Sequence, residues 1–440
     1  MEVLHPRCVG LDVHARTIVA CVRVAQGGEV SYEIETFGTS TPDLFRLRDW
    51  IEEHECTHGV MESTGVYWKP VWHVLEDAVE LLLANAAHVK NLPGRKTDVN
   101  DAQWLADLLA HGLVAASFVP DTSVQDLRAL TRTRKQLVRE RVSHVQRIQK
   151  VLEDANIKLT NVLTDVVGMS GRRILGAIIK GQTDGHALAE LASTRVHASK
   201  EQLAQALQGY VRDHHRQLLS LHLELIDALD KAIASIENDV GTKLAPFRPA
   251  AELLKSMPGV GDTTAQVMLA EIGPDMSRFP SPAHLRSWAC LCPRNDESAG
   301  KQRSTRIRKG ANWLKAVLVQ AAWAAIRVKG SHLRELFYRL KTRRGPKKAI
   351  VAVAASMLTS AWHMLIQGVP YHELGETPLT APARQRQAQR LVHRLRELGY
   401  DVTLPSTPTL ATGNSSETRS SSLPIVDFPL TPAPATGVSL

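Results

Sequence analysis

A chain of 440 residues with 44% hydrophobic and 22% charged residues has an ordinary globular composition, long enough for about three domains. Its net charge of +8 favours a polyanionic partner. Five cysteines, an odd number with no C-x-x-C pair, argue against a disulfide framework and fit a reduced, cytosolic setting.

The opening MEVLHPRCVGLDVH lacks a charged region followed by an apolar run, so no secretory signal is expected. The β-branched runs CVGLDVH, TIVACVRVA and EVSYEIETF, separated by polar or glycine breaks, predict three strands in a meander. A helix over 41–55, the strand THGVMES, a helix over 66–76, the strand VELLLANA and a helix over 100–111 follow. The expectation for residues 1–120 is therefore an α/β domain with a mixed sheet.

From about Asp121 the pattern becomes helical. Leu127, Leu130, Leu137, Val142, Val145, Ile148 and Leu152 mark one long helix. A second is expected to start at the capping-box sequence of Ser199 and continue through Leu203, Leu218 and Leu229 to Ile236. The region 121–245 reads either as a coiled coil for dimerisation or as a helical hairpin within one chain. Residues 246–404 read as an all-α domain. Its segment 349–366 is long enough to cross a bilayer, but it carries two Ser, a Thr and a His and reads better as a buried helix; no membrane partner is expected. Residues 405–440, rich in Ser, Thr and Pro, read as a disordered tail.

The positive charge is clustered. Residues 301–348 hold fifteen Lys or Arg against one acid, Glu335, and residues 128–150 hold eight against Glu140. A solvated helix face usually mixes its signs, so this is the footprint of phosphate binding. Gly259 and Gly261, in a helix, glycine turn, helix pattern (LLKSMPGVGDTTAQVMLAEIG), would let backbone N–H groups approach a phosphate in a helix-hairpin-helix element. Lys301, Arg303, Arg306, Arg308 and Lys309 follow Ser298 and are suited to neutralising a phosphate and its transition state. Ser304 is a weaker candidate than Ser298.

Four acids stand out in the N-terminal part. Asp12 sits in an apolar strand, Glu62 ends another, and Asp98 with Asp101 opens the last helix of the domain. One aspartate at a helix start is explained by capping; two on one face repel. In a meander followed by αβαβα the first strand lies beside the fourth, so these acids can share one edge. Two carboxylates about 4 Å apart repel by roughly 4 kcal/mol at an effective dielectric near 20, so such a cluster must bind protons or cations. All-oxygen ligands select Mg²⁺ or Mn²⁺, and paired ions of that kind clamp the oxygens of a phosphodiester displacement.

Asp12 in GLDVHA, Glu62 in MESTGVYW, and Asp98 with Asp101 in TDVNDAQWLA together resemble the DEDD transposases of insertion sequences, the IS-one-ten class. The resemblance runs to about Pro405. It implies an N-terminal domain similar to Holliday-junction resolvases of the RNase H fold, and a serine-bearing C-terminal domain. Ser298 stands in the P-R-x-x-x-S-x-G-K stretch where that family carries a nucleophile forming a phosphoserine link to DNA; this chain has Ala299 where many members have glycine. It implies further that the acid cluster serves Ser298, that an element-encoded guide RNA selects the DNA, that the protein works as a homo-oligomer, dimer or tetramer, and that it acts at the nucleoid in the cytoplasm. Two alternatives remain open: a metal-dependent junction-resolving nuclease using water, and a non-catalytic nucleic-acid-binding assembly protein.

Overall fold

The β-branched runs of the first hundred residues form the expected sheet. In the computed structural model, which describes residues 2–62, 65–84, 101–293, 296–298, 301–304, 306–308, 310, 312–373, 375 and 381–402, β1 (Arg7–Val13), β2 (Thr17–Gln26) and β3 (Glu29–Gly38) make an antiparallel meander. Helix α1 (Thr41–Glu53) leads to β4 (His58–Glu62), and α2 (Trp68–Leu75) to β5 (Glu80–Ala84). β4 runs parallel to β1, and β5 parallel to β4, giving the order β3-β2-β1-β4-β5.

Side-chain alternation divides the sheet into two faces. Val9, Leu11, Val13, Ile18, Ala20 and Met61 pack on one face against Leu47 and Ile51 of α1 and Val71 and Leu75 of α2. The other face carries Cys8 and Val60 and is covered by Leu105, Leu108 and Leu109 of α3 (Asp101–Ala110).

Helix α4 (Thr122–Asp154) follows, then α5 (Leu159–Val162), α6 (Met169–Ile179), α7 (Gly185–Glu190), α8 (Lys200–Leu207) and α9 (Asp213–Leu244). The stripe of α4 is met within the chain. Ile148 and Leu152 share a core with Leu219 and Ile226 of α9, and Arg141 Nε donates to Asp230 Oδ1 at 2.5 Å. Within one chain the two long helices therefore pack as a hairpin.

The capping box at Ser199 and Gln202 is present, but the helix it starts ends at Leu207 rather than running to Ile236. Gly209 causes the break: a Cβ there would stand 2.4 Å from the Ala155 carbonyl oxygen, and the Tyr210 N–H donates to that same oxygen at 2.8 Å. The chain leaves the helix to lie against the end of α4.

The C-terminal helices are α10 (Arg248–Lys255), α11 (Asp262–Ile272), α12 (Pro282–Trp288), α13 (Asn312–Ala325), α14 (His332–Arg344) and α15 (Pro346–Gln367), with a hairpin of β6 (Asp296–Ser298) and β7 (Lys301–Ser304) between α12 and α13. The long apolar segment is α15, whose Ile350, Val353, Met357, Leu358 and Ala361 are buried in the core shared with α11 and α13. Residues 1–376 form one compact unit; residues 377–440 form a second, in which α16 (Ala381–Glu397) is described. The tail beyond 402 lies outside the described residues.

Candidate active site

Gly10 decides where the acids go. A Cβ on this strand residue would stand 2.1 Å from the Ala102 carbonyl oxygen and 2.6 Å from the Ala106 amide nitrogen, so α3 lies directly on the β1 backbone. An isolated glycine in a strand marks such a close approach. Cys8 Sγ, two residues earlier on the same face, reaches the Ala106 carbonyl at 3.5 Å. Moving along β1 from Cys8 to Gly10 therefore moves back along α3 towards its N-terminus, and the next residue on that face is Asp12.

The parallel ladder sets the second acid. The ladder ends at the pair Leu11 and Met61, and Asp12 and Glu62 are the next residues along the two strands. Val60, two residues before Glu62, faces α3, and Glu62 shares that face. Asp101 is the first residue of α3 and is exposed. One face at one end of the sheet thus receives Asp12, Glu62 and the start of the helix carrying Asp101. Asp98 lies outside the described residues.

The helix is pinned further along by Arg23 of β2, whose Nε donates to Asp107 Oδ1 at 2.9 Å, and by Tyr32 of β3, whose hydroxyl donates to the same oxygen at 2.8 Å. Sequence reasoning passed over Asp107 and Gly10. The signals were present: Arg23, only 3% exposed, is a charge inside an apolar strand and needs a partner.

The acids fit hard divalent cations. Among the described residues, none of Asp12, Glu62 or Asp101 pairs with lysine or arginine, and Asp12 Oδ2 meets only His14 Nε2, at 3.1 Å. Carboxylate oxygens are the donor type that suits Mg²⁺ or Mn²⁺, but the structure does not bring the ligand atoms of Asp12, Glu62 and Asp101 within 4.8 Å of one another.

A tighter group lies elsewhere. Asp154, His214 and His215 bring one donor atom each within 4.8 Å of one another, the only such trio among the described residues. Its hydrogen bonds oppose a metal. His215 Nδ1 accepts the Arg212 N–H at 3.1 Å, so Nε2 carries the proton and donates it to Asp154 Oδ2 at 2.7 Å. The Nε2 lone pair is absent, and the Arg212 guanidinium, 3.8 Å from the same carboxylate, supplies positive charge. Hydrogen bonding from His215, and then these neighbouring charges, hold Asp154 below the usual carboxylate range. The trio is a clamp between the end of α4 and the start of α9.

Ser298 is the last residue of β6, paired with Lys301 across the hairpin tip, rather than in an irregular loop. Lys301 and Arg303 lie on β7; Lys309 lies outside the described residues. Arg306 is exposed. Arg308 Nη2 donates to the Ser287 carbonyl at 3.2 Å and to its hydroxyl, tying the segment after β7 to α12.

The two turn glycines differ. Gly259 has φ +82°, and a Cβ there would meet the Ala321 carbonyl oxygen at 2.3 Å, so its bareness serves packing on α13. Gly261 begins α11 and faces open space, while Asp262 beside it pairs with Lys255 at 2.8 Å. That carboxylate already occupies the positive end of the helix.

A mixed sheet with carboxylates gathered at one end, joined to a helical region dense in arginine and lysine, defines a class of enzyme acting on nucleic acid. A family model described as Transposase matches residues 9–157, and one described as Transposase IS116/IS110/IS902 family matches residues 251–338. The chain is 27% identical to the transposase for insertion sequence element IS1111A of Coxiella burnetii, over 66% of this chain and 72% of the relative. It is 24% identical to the pilin gene-inverting protein of Moraxella bovis, over 82% of this chain and 97% of the relative. It is 31% identical to the insertion element IS110 uncharacterized 43.6 kDa protein of Streptomyces coelicolor, over 29% of this chain and 32% of the relative. The two family matches span more than half of the chain, which belongs to the IS110 family of transposases.

Proposed function

We propose that this transposase cleaves and rejoins DNA strands at the ends of an insertion sequence, with Asp12, Glu62, Asp98 and Asp101 holding Mg²⁺ or Mn²⁺ and Ser298 as nucleophile. The observation that supports the reading is the parallel ladder of β1 and β4, which ends one residue before Asp12 and Glu62, together with the packing of α3 on Gly10. We read the sheet as RNase H-like, in keeping with its order and with the antiparallel meander followed by two parallel strands. The pilin gene-inverting relative supports rearrangement of DNA as the outcome.

The chemistry follows from the residue types. The Ser298 hydroxyl oxygen attacks a phosphorus of the DNA backbone, the bond to one sugar oxygen breaks, and a phosphoserine ester preserves the energy of the cleaved bond. A hydroxyl of the partner strand then attacks that ester and frees the serine. A serine hydroxyl needs its proton removed, no histidine flanks Ser298 in the sequence, and a carboxylate of the acid cluster is assigned to accept the proton. Divalent ions held by the acids supply positive charge for the attacking and leaving oxygens. Bringing Ser298 to those acids is assigned to assembly of a homo-oligomer, with an element-encoded RNA choosing the DNA. In this reading 1–120 is the catalytic domain, 121–245 the assembly region and 246–404 the serine domain, and the protein works at the nucleoid.

The test is recombination on a supplied element with its flanking RNA-coding sequence. Wild type is expected to recombine, and Asp101→Ala and Ser298→Ala to fall by at least about 10³-fold. Strand cleavage by Ser298→Ala at the wild-type rate would leave a nuclease that uses water instead.

A further inference from the structure

Trp313, at the start of α13, is ringed by cations from α4. Arg132, Lys135 and Arg139 stand 5.7, 5.7 and 5.5 Å from its ring centroid. Their spacing of three and four residues places them on one helix face, where like charges repel. Only Arg132 is neutralised, by both carboxylate oxygens of Glu271 at 2.8 and 2.7 Å. Lys135 and Arg139 form no ion pair among the described residues, and the buried Lys135 Nζ meets no hydrogen-bond acceptor. Burial, and then the Arg139 charge, lower the Lys135 ammonium below the usual lysine range despite Glu271 nearby.

A buried ammonium in this state calls for an acceptor, which a bound anion can supply. The ring holds the cations together through its electron-rich face. Beside it opens a cavity of about 700 Å³ lined by Arg139, Trp313, Lys315, Gln320, Ile307 and Val351. Lys315 Nζ donates to the Arg308 and Gly310 carbonyls at 3.3 and 3.1 Å, which fixes a further cation at the cavity wall. Those carbonyls belong to the segment that follows the Ser298 hairpin, and Ile307 bridges back to Pro293 just before it.

We propose that Lys135 and Arg139 at Trp313, with Lys315 on the wall of the adjoining cavity, form a phosphate subsite that holds the backbone of a nucleic-acid strand beside the Ser298 hairpin. This rests on the DNA strand exchange proposed above and adds where a strand is gripped. The ligand chemistry is the phosphodiester anion. DNA being exchanged and guide RNA both carry it, and separate arms of the test tell them apart. With the cations already covering the ring face, Trp313 aligns the charges rather than stacking on a base.

The experiment measures binding of labelled single-stranded DNA, and of RNA of the same sequence, about twenty nucleotides long, to the full chain across a salt series. Arg139→Gln, on an exposed residue, and Lys135→Met are each expected to weaken binding by about 5- to 20-fold near 0.1 M salt, and the double variant to flatten the log–log salt slope by about 1.4. Lys135→Met is expected at the same time to raise Tm by about 1–3 °C, because it removes a buried ammonium without an acceptor. Opposite signs for stability and binding are the signature of a ligand site. An effect on one strand type alone assigns the subsite to that strand. Unchanged affinity and slope on both strands, or a lowered Tm accompanying lost binding, would overturn the subsite. Failure of the wild type to bind either strand would instead sink the strand-exchange reading itself.

Discussion

Gly10 is where the candidate site is most exposed to a single atom. The methyl of Gly10→Ala has nowhere to go, because the nearest atoms are backbone of α3. The variant is expected to lose about 1–3 kcal/mol in chemical denaturation, and to lose recombination beyond what that destabilisation explains, because displacing α3 moves Asp101 away from Asp12 and Glu62. Recombination at the wild-type rate in a destabilised Gly10→Ala would separate α3 from the chemistry. The thiols offer a second check on this core. Burial pushes Cys8, Cys21 and Cys56 up to about 12. A raised thiol stays protonated until the pH approaches that value, so alkylation of native protein at pH 8 is expected to spare all three, while unfolded protein reacts at each. At this scale the four acids stand out in the sequence because charge in apolar strands, and paired charge at a helix start, break the usual pattern; Asp98 lies outside the described residues. Asp107 was not legible as an anchor, since its partner Arg23 lies eighty-four positions away and only the register brings them together.

Among the elements, α4 does the most joining. Arg128 donates to the Ala270 and Glu271 carbonyls at 3.0 and 2.7 Å, Arg132 to the Glu271 carboxylate, and Arg134 to Gln266 Oε1 at 2.8 Å, so α4 is bolted to α11. Glu271 is 3% exposed, and among the described residues it is the acid that pairs with Arg128 and Arg132. Replacing it by alanine leaves buried guanidinium groups without their counter-charge. The expected cost is about 2–4 kcal/mol in urea denaturation, discounted because Arg132 is 37% exposed. A cost below about 0.5 kcal/mol would show that the bolt contributes little. The helices and strands themselves were legible from period and caps, including the capping box at Ser199. The end of that helix was not: its apolar stripe continues past Leu207, and the glycine that stops it acts through contact with Ala155, which no local pattern encodes. The short hairpin bearing Ser298 was likewise missed, because DES and KQRS lack the apolar alternation of a half-buried strand.

Across the whole molecule, the described residues bury five hydrophobic clusters along a chain whose positive charge is concentrated on α4 and between β7 and the start of α15. Affinity for DNA of unrelated sequence is expected to fall by about 10³-fold or more between 50 and 200 mM salt if six or more phosphates are neutralised. A flat salt response would deny the basic regions that role. The central claim, that oxygens from β1, β4 and the start of α3 surround divalent ions, is tested most directly by iron-directed cleavage. Fe²⁺ is loaded in place of Mg²⁺, ascorbate and peroxide are added, and the protein fragments are mapped by mass spectrometry. Cuts are expected near Asp12, near Glu62 and between residues 98 and 101, all suppressed by excess Mg²⁺ and lost in Asp12→Asn. Cuts confined to the neighbourhood of Asp154, His214 and His215, or absent from the sheet edge, would contradict it.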